Sequence, residues 1–287
     1  MRDRTFAKGH GTENDFVLLV DRDAHWPLHA GLVRWVCDRR AGIGADGVLR
    51  AVAGAHVPEW DGDPDVWFMD YRNADGSLAE MCGNGIRVFV RHLVDSGLAV
   101  GPTVAVGTRA GLRETELLAD GRVRVAMGAA RVREDVVSVR TGDGTAYPAV
   151  PVEVGNPHAV SFCADPAEVD LRTAPTWTPA TVFPAGVNAE FVAARGPQHL
   201  AMRVFERGSG ETRSCGTGTV AAAAWHARRG SSPADPDEPV RYRIDVPGGS
   251  VEVELGDEQA WLTGPAVVVA HGTLAVPEHL LVPVGAG

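Results

Sequence analysis

Lysine is nearly missing from this chain: of 27 basic residues, only Lys8 is a lysine. Schiff-base chemistry needs a lysine amine, so any such mechanism, pyridoxal phosphate attachment included, would have to run through that one residue. Cysteine is also scarce. Cys37, Cys82, Cys163 and Cys215 are spread over 287 residues, which is no disulfide framework. Long apolar runs are absent, since the most apolar stretches, Val267 to Ala270 and Val220 to Trp225, fall far short of the roughly 20 residues that span a bilayer. Met1 to Lys8 is charged and lacks the apolar region of a targeting segment. Nor is there an excess of positive charge. The formal net charge is −10, which disfavours nucleic acid as a partner because phosphate binding needs a cationic face. These absences lead to the expectation of a cytoplasmic protein with reduced thiols.

Glycine (34) and proline (19) are plentiful, and 45% hydrophobic with 22% charged residues is the balance of a globular protein. The length suits one large domain or two ordinary ones. An internal repeat favours two. Ala79-Glu80-Met81-Cys82-Gly83-Asn84-Gly85-Ile86 resembles Thr212-Arg213-Ser214-Cys215-Gly216-Thr217-Gly218-Thr219, each reading Cys-Gly-polar-Gly ahead of a stretch that can be helical. Asn73 lies nine residues before Cys82, and Glu206 nine before Cys215. Gly42 to Val48 parallels Gly186 to Val192, Gly11 to Asn14 parallels Val154 to Asn156, and Met127 to Ala130 parallels Thr263 to Ala266. Landmarks repeated in one order imply two similar α/β halves, roughly 1–130 and 131–287, facing each other across a cleft. Two-fold pseudosymmetry would then bring Cys82 and Cys215 face to face. Coincidence in a glycine-rich chain is the alternative.

Short β-branched runs bounded by Gly, Asp or Pro predict strands at Phe16 to Val20, Val66 to Met69, Val104 to Val106, Val123 to Val125 and Val136 to Val139. Further strands are predicted at Val150 to Val154, Ala201 to Phe205, Tyr242 to Val246, Val251 to Leu255 and Val267 to Ala270. Apolar periodicity predicts helices over Leu28 to Arg39, Gly85 to Asp95 and Thr219 to Arg228, and Ser231 to Pro239 reads as an acidic, proline-rich surface loop.

Cys82 and Cys215 open helices. A helix start exposes unpaired N–H groups and about half a positive charge, which should draw a thiol pKa from about 8.5 towards neutrality. Glycines there let a carboxylate approach bare amides. Such a cysteine can be a base, a nucleophile or a redox group. Cys37 and Cys163, without glycine loops, read as buried and inert. Two thiols on opposite faces of a carbon suit an epimerase: one removes a proton, the other returns one to the far face, and helix amides hold the adjacent carboxylate as charge develops.

The motifs resemble diaminopimelate epimerase. They are Met81-Cys82-Gly83-Asn84-Gly85-Ile86-Arg87, Glu206-Arg207-Gly208-Ser209-Gly210-Glu211-Thr212 with Ser214-Cys215-Gly216-Thr217-Gly218, Lys8-Gly9-His10-Gly11 with Asn14-Asp15-Phe16, Gly42-Ile43-Gly44-Ala45-Asp46-Gly47, and Asn73-Ala74-Asp75-Gly76-Ser77. Gly155-Asn156-Pro157-His158-Ala159-Val160, Gly186-Val187-Asn188 and Thr263-Gly264-Pro265-Ala266 complete the set, which runs from Lys8 to about Gly272. The resemblance implies an α/β (α+β) fold of two pseudosymmetric domains, each a mixed or antiparallel sheet or barrel around a central helix, with the active site in the inter-domain cleft. It implies an N-terminal half of 1–130, joined by a C-terminal strand from about 267–287, and a C-terminal half of 131–266.

The activity implied is the interconversion of LL- and meso-2,6-diaminopimelate by a two-base cysteine mechanism, without pyridoxal phosphate, another cofactor or a metal, in lysine and peptidoglycan precursor biosynthesis. Cys82 and Cys215 become the acid/base pair. The amides of Gly83, Asn84, Gly216 and Thr217 hold the carboxylate at the reacting centre, with Asn14 and Glu206 near it. Asn73, Asn156, Asn188 and Arg207 read the distal amino-acid end, a role that suits a guanidinium fork and amide side chains. Turn formation is the alternative for Asn14 and Asn188. His158 either tunes a thiol, or orients Glu206, or packs a loop. The partners implied are diaminopimelate and at most a second copy in a homodimer, with neither nucleic acid nor membrane. Tyr71-Arg72, Leu78 and Arg213-Ser214 depart from residues frequent in the family but remove no catalytic group.

Proline racemases and hydroxyproline epimerases share the Cys-Gly-x-Gly settings and are the rival reading. They usually carry His where Asn84 stands, and they lack the set of Asn73, Asn156, Asn188 and Arg207. Phenazine-type isomerases replace the cysteine pair. Gly42-x-Gly44-x-x-Gly47 formally matches a dinucleotide fingerprint, but a helix rather than a strand precedes it. A regulatory Cys82–Cys215 disulfide would leave the amide and arginine sets unexplained.

Overall fold

The computed structural model describes residues 4–230 and 239–281. The loop expected at Ser231 to Pro239 therefore lies outside the described residues except for Pro239. By contact density the chain divides into two units: one runs through Val125 and resumes at Pro265, and the other is Ala126–Gly264.

The first unit contains β1 (Arg4–Gly11), β2 (Asn14–Val20), α1 (Ala30–Cys37), β3 (Gly47–Ala53), β4 (Trp67–Asn73), α2 (Gly83–Asp95), β5 (Thr103–Thr108), β6 (Gly111–Leu117) and the start of β7 (Val123–Gly128). The second holds β8 (Arg131–Val132), β9 (Val137–Arg140), β10 (Ala146–Glu153), β11 (Pro157–Phe162), β12 (Thr176–Thr178), β13 (Asn188–Gly196), β14 (His199–Glu206) and β15 (Gly210–Thr212). It continues with α3 (Gly216–Arg228), β16 (Val240–Val246), β17 (Gly249–Leu255) and β18 (Ala260–Gly264), after which β19 (Val267–Leu274) returns to the first unit and pairs antiparallel with β1.

Strand directions repeat between the units. In the first, β1–β2 is antiparallel, β2–β3 parallel, β3–β4 antiparallel, β4–β5 parallel, and β5–β6 and β6–β7 antiparallel. In the second, β10–β11 is antiparallel, β11–β13 parallel, β13–β14 antiparallel, β14–β16 parallel, and β16–β17 and β17–β18 antiparallel. Parallel neighbours need a crossover connection. In both units the second crossover is a helix preceded by a cysteine, α2 or α3. Two pseudosymmetric halves are thus visible in the topology as well as in the motifs.

Each of these helices packs on the strands of its own unit. α2 packs on β19, β1, β2, β3 and β6, and buries Ile86, Phe89, Val90 and Leu93. α3 packs on β10, β11, β13, β14 and β17, and its buried Ala221, Ala222 and Ala223 let those strands come close. A helix enclosed on most sides carries few polar residues in its middle.

The first crossover differs. In the first unit it is α1, whose Leu32, Val33 and Val36 join Val17, Leu19, Leu274 and Val276 in one apolar cluster. Each such side chain contributes about 1.5–3 kcal/mol when buried. In the second unit the crossover carries β12, and Leu171, Phe183 and Val187 cover Val139 and Phe191. α1 is shorter than the apolar period suggests, because the His29 ring accepts from Leu32 N–H as an N-cap and Asp38 leaves the helical region. α2 and α3 begin earlier than expected, at the first glycine after each cysteine. Cys37 is buried at the end of α1, whereas Cys163 is half-buried just past β11 rather than buried within it. Among the described residues no helix is long and apolar enough to cross a membrane.

Candidate active site

The two repeated cysteines occupy the same backbone position. Cys82 is the N-cap of α2 with φ −141° and ψ 118°, and Cys215 is the N-cap of α3 with φ −125° and ψ 115°. In each case the sulphur accepts an N–H three residues on, from Gly85 or Gly218, at 3.4 Å. An N-cap side chain satisfies one of the orphan donors of a helix start. Here a thiol takes the place of the usual hydroxyl or carboxylate. The N–H groups of Gly83 and Asn84, and of Gly216 and Thr217, belong to these first turns and are buried.

In the first unit Asn14 opens β2 after a turn in which Thr12 and Glu13 have positive φ. Its Oδ1 faces Cys82 Sγ at 3.7 Å and accepts from Asn84 Nδ2 at 3.3 Å. Its Nδ2 donates to Asp46 Oδ2 at 2.8 Å, which fixes which end of the amide meets the thiol. Asp46 is held in turn by Arg39, which also grips Asp15. Asn73 ends β4 and donates to Ser77 Oγ at 3.0 Å within its own turn, so no described hydrogen bond joins it to this cluster. The lone lysine is a structural tie, with Lys8 Nζ bonded to Asp15 Oδ2 at 2.6 Å and to the Gly44 carbonyl.

Arg87, one turn into α2, is fully buried. It donates to Thr12 Oγ1 at 3.1 Å, the Pro265 carbonyl at 3.2 Å and the Gly83 carbonyl at 3.4 Å. All three acceptors are neutral. Burial lowers its pKa to about 10, and the Cys82 sulphur opposes that fall, so the guanidinium stays charged at neutral pH. Buried charges are normally paired, and the Cys82 sulphur is the one group whose interaction favours this charge. Gly11 makes room: a Cβ there would lie 2.9 Å from Arg87 Nη2 and 2.8 Å from the Asn84 carbonyl.

In the second unit Cys215 Sγ lies 3.5 Å from Thr217 Oγ1. Burial pushes the Cys215 thiol well up, and the carboxyls of Glu206 and Glu190 push it further; the Thr217 hydroxyl and the Gly218 N–H only partly oppose them. The expected fall towards neutrality is therefore overturned at Cys215, because desolvation and two acids outweigh the helix start. Glu206 ends β14 and accepts from Thr212 Oγ1. Arg207 N–H donates to Asn188 Oδ1 at 3.0 Å, and Asn188 Nδ2 donates to the Pro157 carbonyl at 3.3 Å. Arg207 Nη1 also reaches the Ala185 carbonyl at 3.1 Å. Asn188 and Arg207 are thus neighbours. His158 is bonded to Glu190 and Asn156, at 2.6 Å and 2.8 Å.

The family model for diaminopimelate epimerase matches residues 6–133 and 150–269. The diaminopimelate epimerase of Streptomyces coelicolor is 50% identical over 272 residues, covering 93% of this chain and 94% of its own, and that of Corynebacterium glutamicum is 47% identical over 285, covering 94% and 98%. The chain belongs to the diaminopimelate epimerase family. Among solved structures, a probable proline racemase from Agrobacterium radiobacter superposes with a TM-score of 0.70 at 18% identity, covering 96% of this chain and 93% of that one. A hydroxyproline epimerase from Agrobacterium vitis gives 0.70 at 15%, covering 98% and 95%. These distant likenesses establish the shared fold.

Sequence reasoning assigned no role to Asp46, Arg87 or Glu190. Asp46 is bonded to Asn14 and Glu190 to His158, but the strand registers match Glu190, third in β13, with Leu49, third in β3, rather than with Asp46. A signal was present for Glu190: a charged residue between Ala189 and Phe191 in an otherwise apolar strand is rarely buried without a partner.

Proposed function

We propose that this chain epimerises LL- and meso-2,6-diaminopimelate, using Cys82 and Cys215 as two bases and no organic cofactor or metal. The observation that carries the proposal is the pair of helix N-caps in which the same residue type, backbone and sulphur–amide bond occur twice. In this reading Cys82 enters the reaction as the thiolate, favoured by the buried Arg87 charge. Cys215 enters as the thiol, kept protonated by burial, Glu206 and Glu190. Cys82 takes the α-proton and Cys215 gives its own proton to the opposite face. One proton leaves the carbon and one arrives, so the centre inverts and the two sulphurs exchange charge.

Developing carboxylate charge is met by the N–H groups of Gly83, Asn84, Gly216 and Thr217, donors already oriented before the reaction begins. Asn73, Asn156, Asn188 and Arg207 read the distal end of the substrate. The test is an assay of the purified chain without added cofactor, comparing diaminopimelate with proline and 4-hydroxyproline. Turnover of diaminopimelate alone is expected. Turnover of a proline substrate in preference to diaminopimelate would overturn the reading.

A further inference from the structure

Glu190 stands third in β13 and, with His158 on the neighbouring β11, is completely buried. Its Oε1 lies 2.6 Å from His158 Nδ1, and the far ring nitrogen, Nε2, lies 2.8 Å from Asn156 Oδ1. An amide oxygen can only accept, so Nε2 carries a hydrogen. The short Nδ1–Oε1 contact then needs one more hydrogen between its two acceptors. Imidazolium with carboxylate and imidazole with carboxylic acid hold the same number of protons, and both leave Nε2 as a donor. The other carboxyl oxygen, Oε2, is buried with no hydrogen-bond partner. A buried, fully ionised carboxylate with an orphaned oxygen is costly, so the pair keeps its proton; burial also pushes Glu190 upward. The carboxyl reaches the first turn of α3 only because residue 218 is glycine, where a Cβ would lie 2.7 Å from Oε1.

We propose that Glu190 is a positioning residue: by holding His158 with a hydrogen on Nε2 it fixes the Asn156 amide, so that the Asn156 NH2 group and not its carbonyl is left to meet an acceptor on the bound amino acid, such as a carboxylate oxygen. This rests on the reading of Asn156 as a substrate contact. Asn156 Nδ2 donates no hydrogen bond among the described residues, and the amide is half-buried. Once the pair gives up its proton, the carboxylate holds the remaining ring hydrogen on Nδ1, Nε2 becomes an acceptor, and the Asn156 amide turns over. The first unit does the corresponding thing with one fewer link, since Asp46 fixes the Asn14 amide directly.

The test uses the full chain with 15N-labelled histidine and compares the parent with Glu190→Gln across pH. Near neutral pH His158 should carry a hydrogen on Nε2 in both, since the protonated pair and a glutamine N–H each leave Nε2 as the donor to Asn156. In alkali the parent pair gives up its proton, the carboxylate draws the remaining hydrogen onto Nδ1, and the Nε2–H signal should be lost, with KM about ten- to hundredfold above that of the variant at the same pH. Glu190→Gln, which still donates an N–H to Nδ1, should retain the Nε2 hydrogen. Identical behaviour of the two overturns the proposal. The histidine spectrum is read on the free protein and holds whatever the substrate is, whereas inactivity of the parent on diaminopimelate would sink the epimerase reading instead.

Discussion

Cys82 and Cys215 cap two helices of 13 residues each with nearly the same backbone angles and the same sulphur–amide distance, yet their electrostatic surroundings differ. Cys82 is partly exposed, faces a neutral amide, and lies near a buried guanidinium whose acceptors among the described residues are all neutral. Cys215 is buried, faces a hydroxyl, and lies near two acids. The duplicated backbone supplies the position, while the side chains around it make the two thiols unequal. In the proposed reaction, an acid and a base of one residue type become distinguishable in this way.

Removing either thiol breaks the comparison outright. Cys82→Ala and Cys215→Ala should each lower epimerisation by about 10³-fold or more, measured as meso product formed from the LL isomer; activity within tenfold of the parent in either would count against two bases. A smaller effect is expected at Arg87. Arg87→Met removes the buried cation and should slow alkylation of Cys82 by iodoacetamide roughly tenfold or more, while Arg87→Lys keeps part of the rate. Peptide mapping separates the two cysteines, and an unchanged Cys82 rate would deny Arg87 its electrostatic role.

Glu206→Gln should act on the other thiol and with opposite sign. Losing a carboxylate lowers a pKa that burial and acids had raised, so the midpoint for alkylation of Cys215 should fall by about one unit. A midpoint that stays or rises would show that burial alone sets it. The mildest change is Thr217→Val, which deletes the hydroxyl 3.5 Å from Cys215 Sγ. A lost hydrogen bond of about 0.5–1.5 kcal/mol should reduce kcat severalfold, with Cys82 alkylation untouched.

Much of this was legible in the sequence where a local rule operates. Gly-x-Gly after a cysteine marks a helix start, and both cysteine-led helices are where the motif puts them, beginning earlier because the cysteine itself is the cap. Strands rich in Val, such as β10 and β17, follow from β-branching. β1, with Lys8, Gly9 and Gly11, and β11, which starts at Pro157 and His158, are not among the strands that β-branched runs alone predict. Their pairing with β2 and β10 overrides local preference. The acids under each site were missed for a related reason. Asp46 matters through Asn14, 32 residues away, and Glu190 through His158, also 32 away, and no local spacing reports such a contact.

One measurement bears most directly on the two-base claim: the cofactor-free conversion of LL-diaminopimelate in deuterium oxide, with the product examined by mass spectrometry and NMR. The expected product is the meso isomer carrying solvent deuterium at the inverted carbon, formed by the parent chain and not by either cysteine-to-alanine variant. Inversion with full retention of the substrate hydrogen, or deuterated product from a variant at the parent rate, would contradict it.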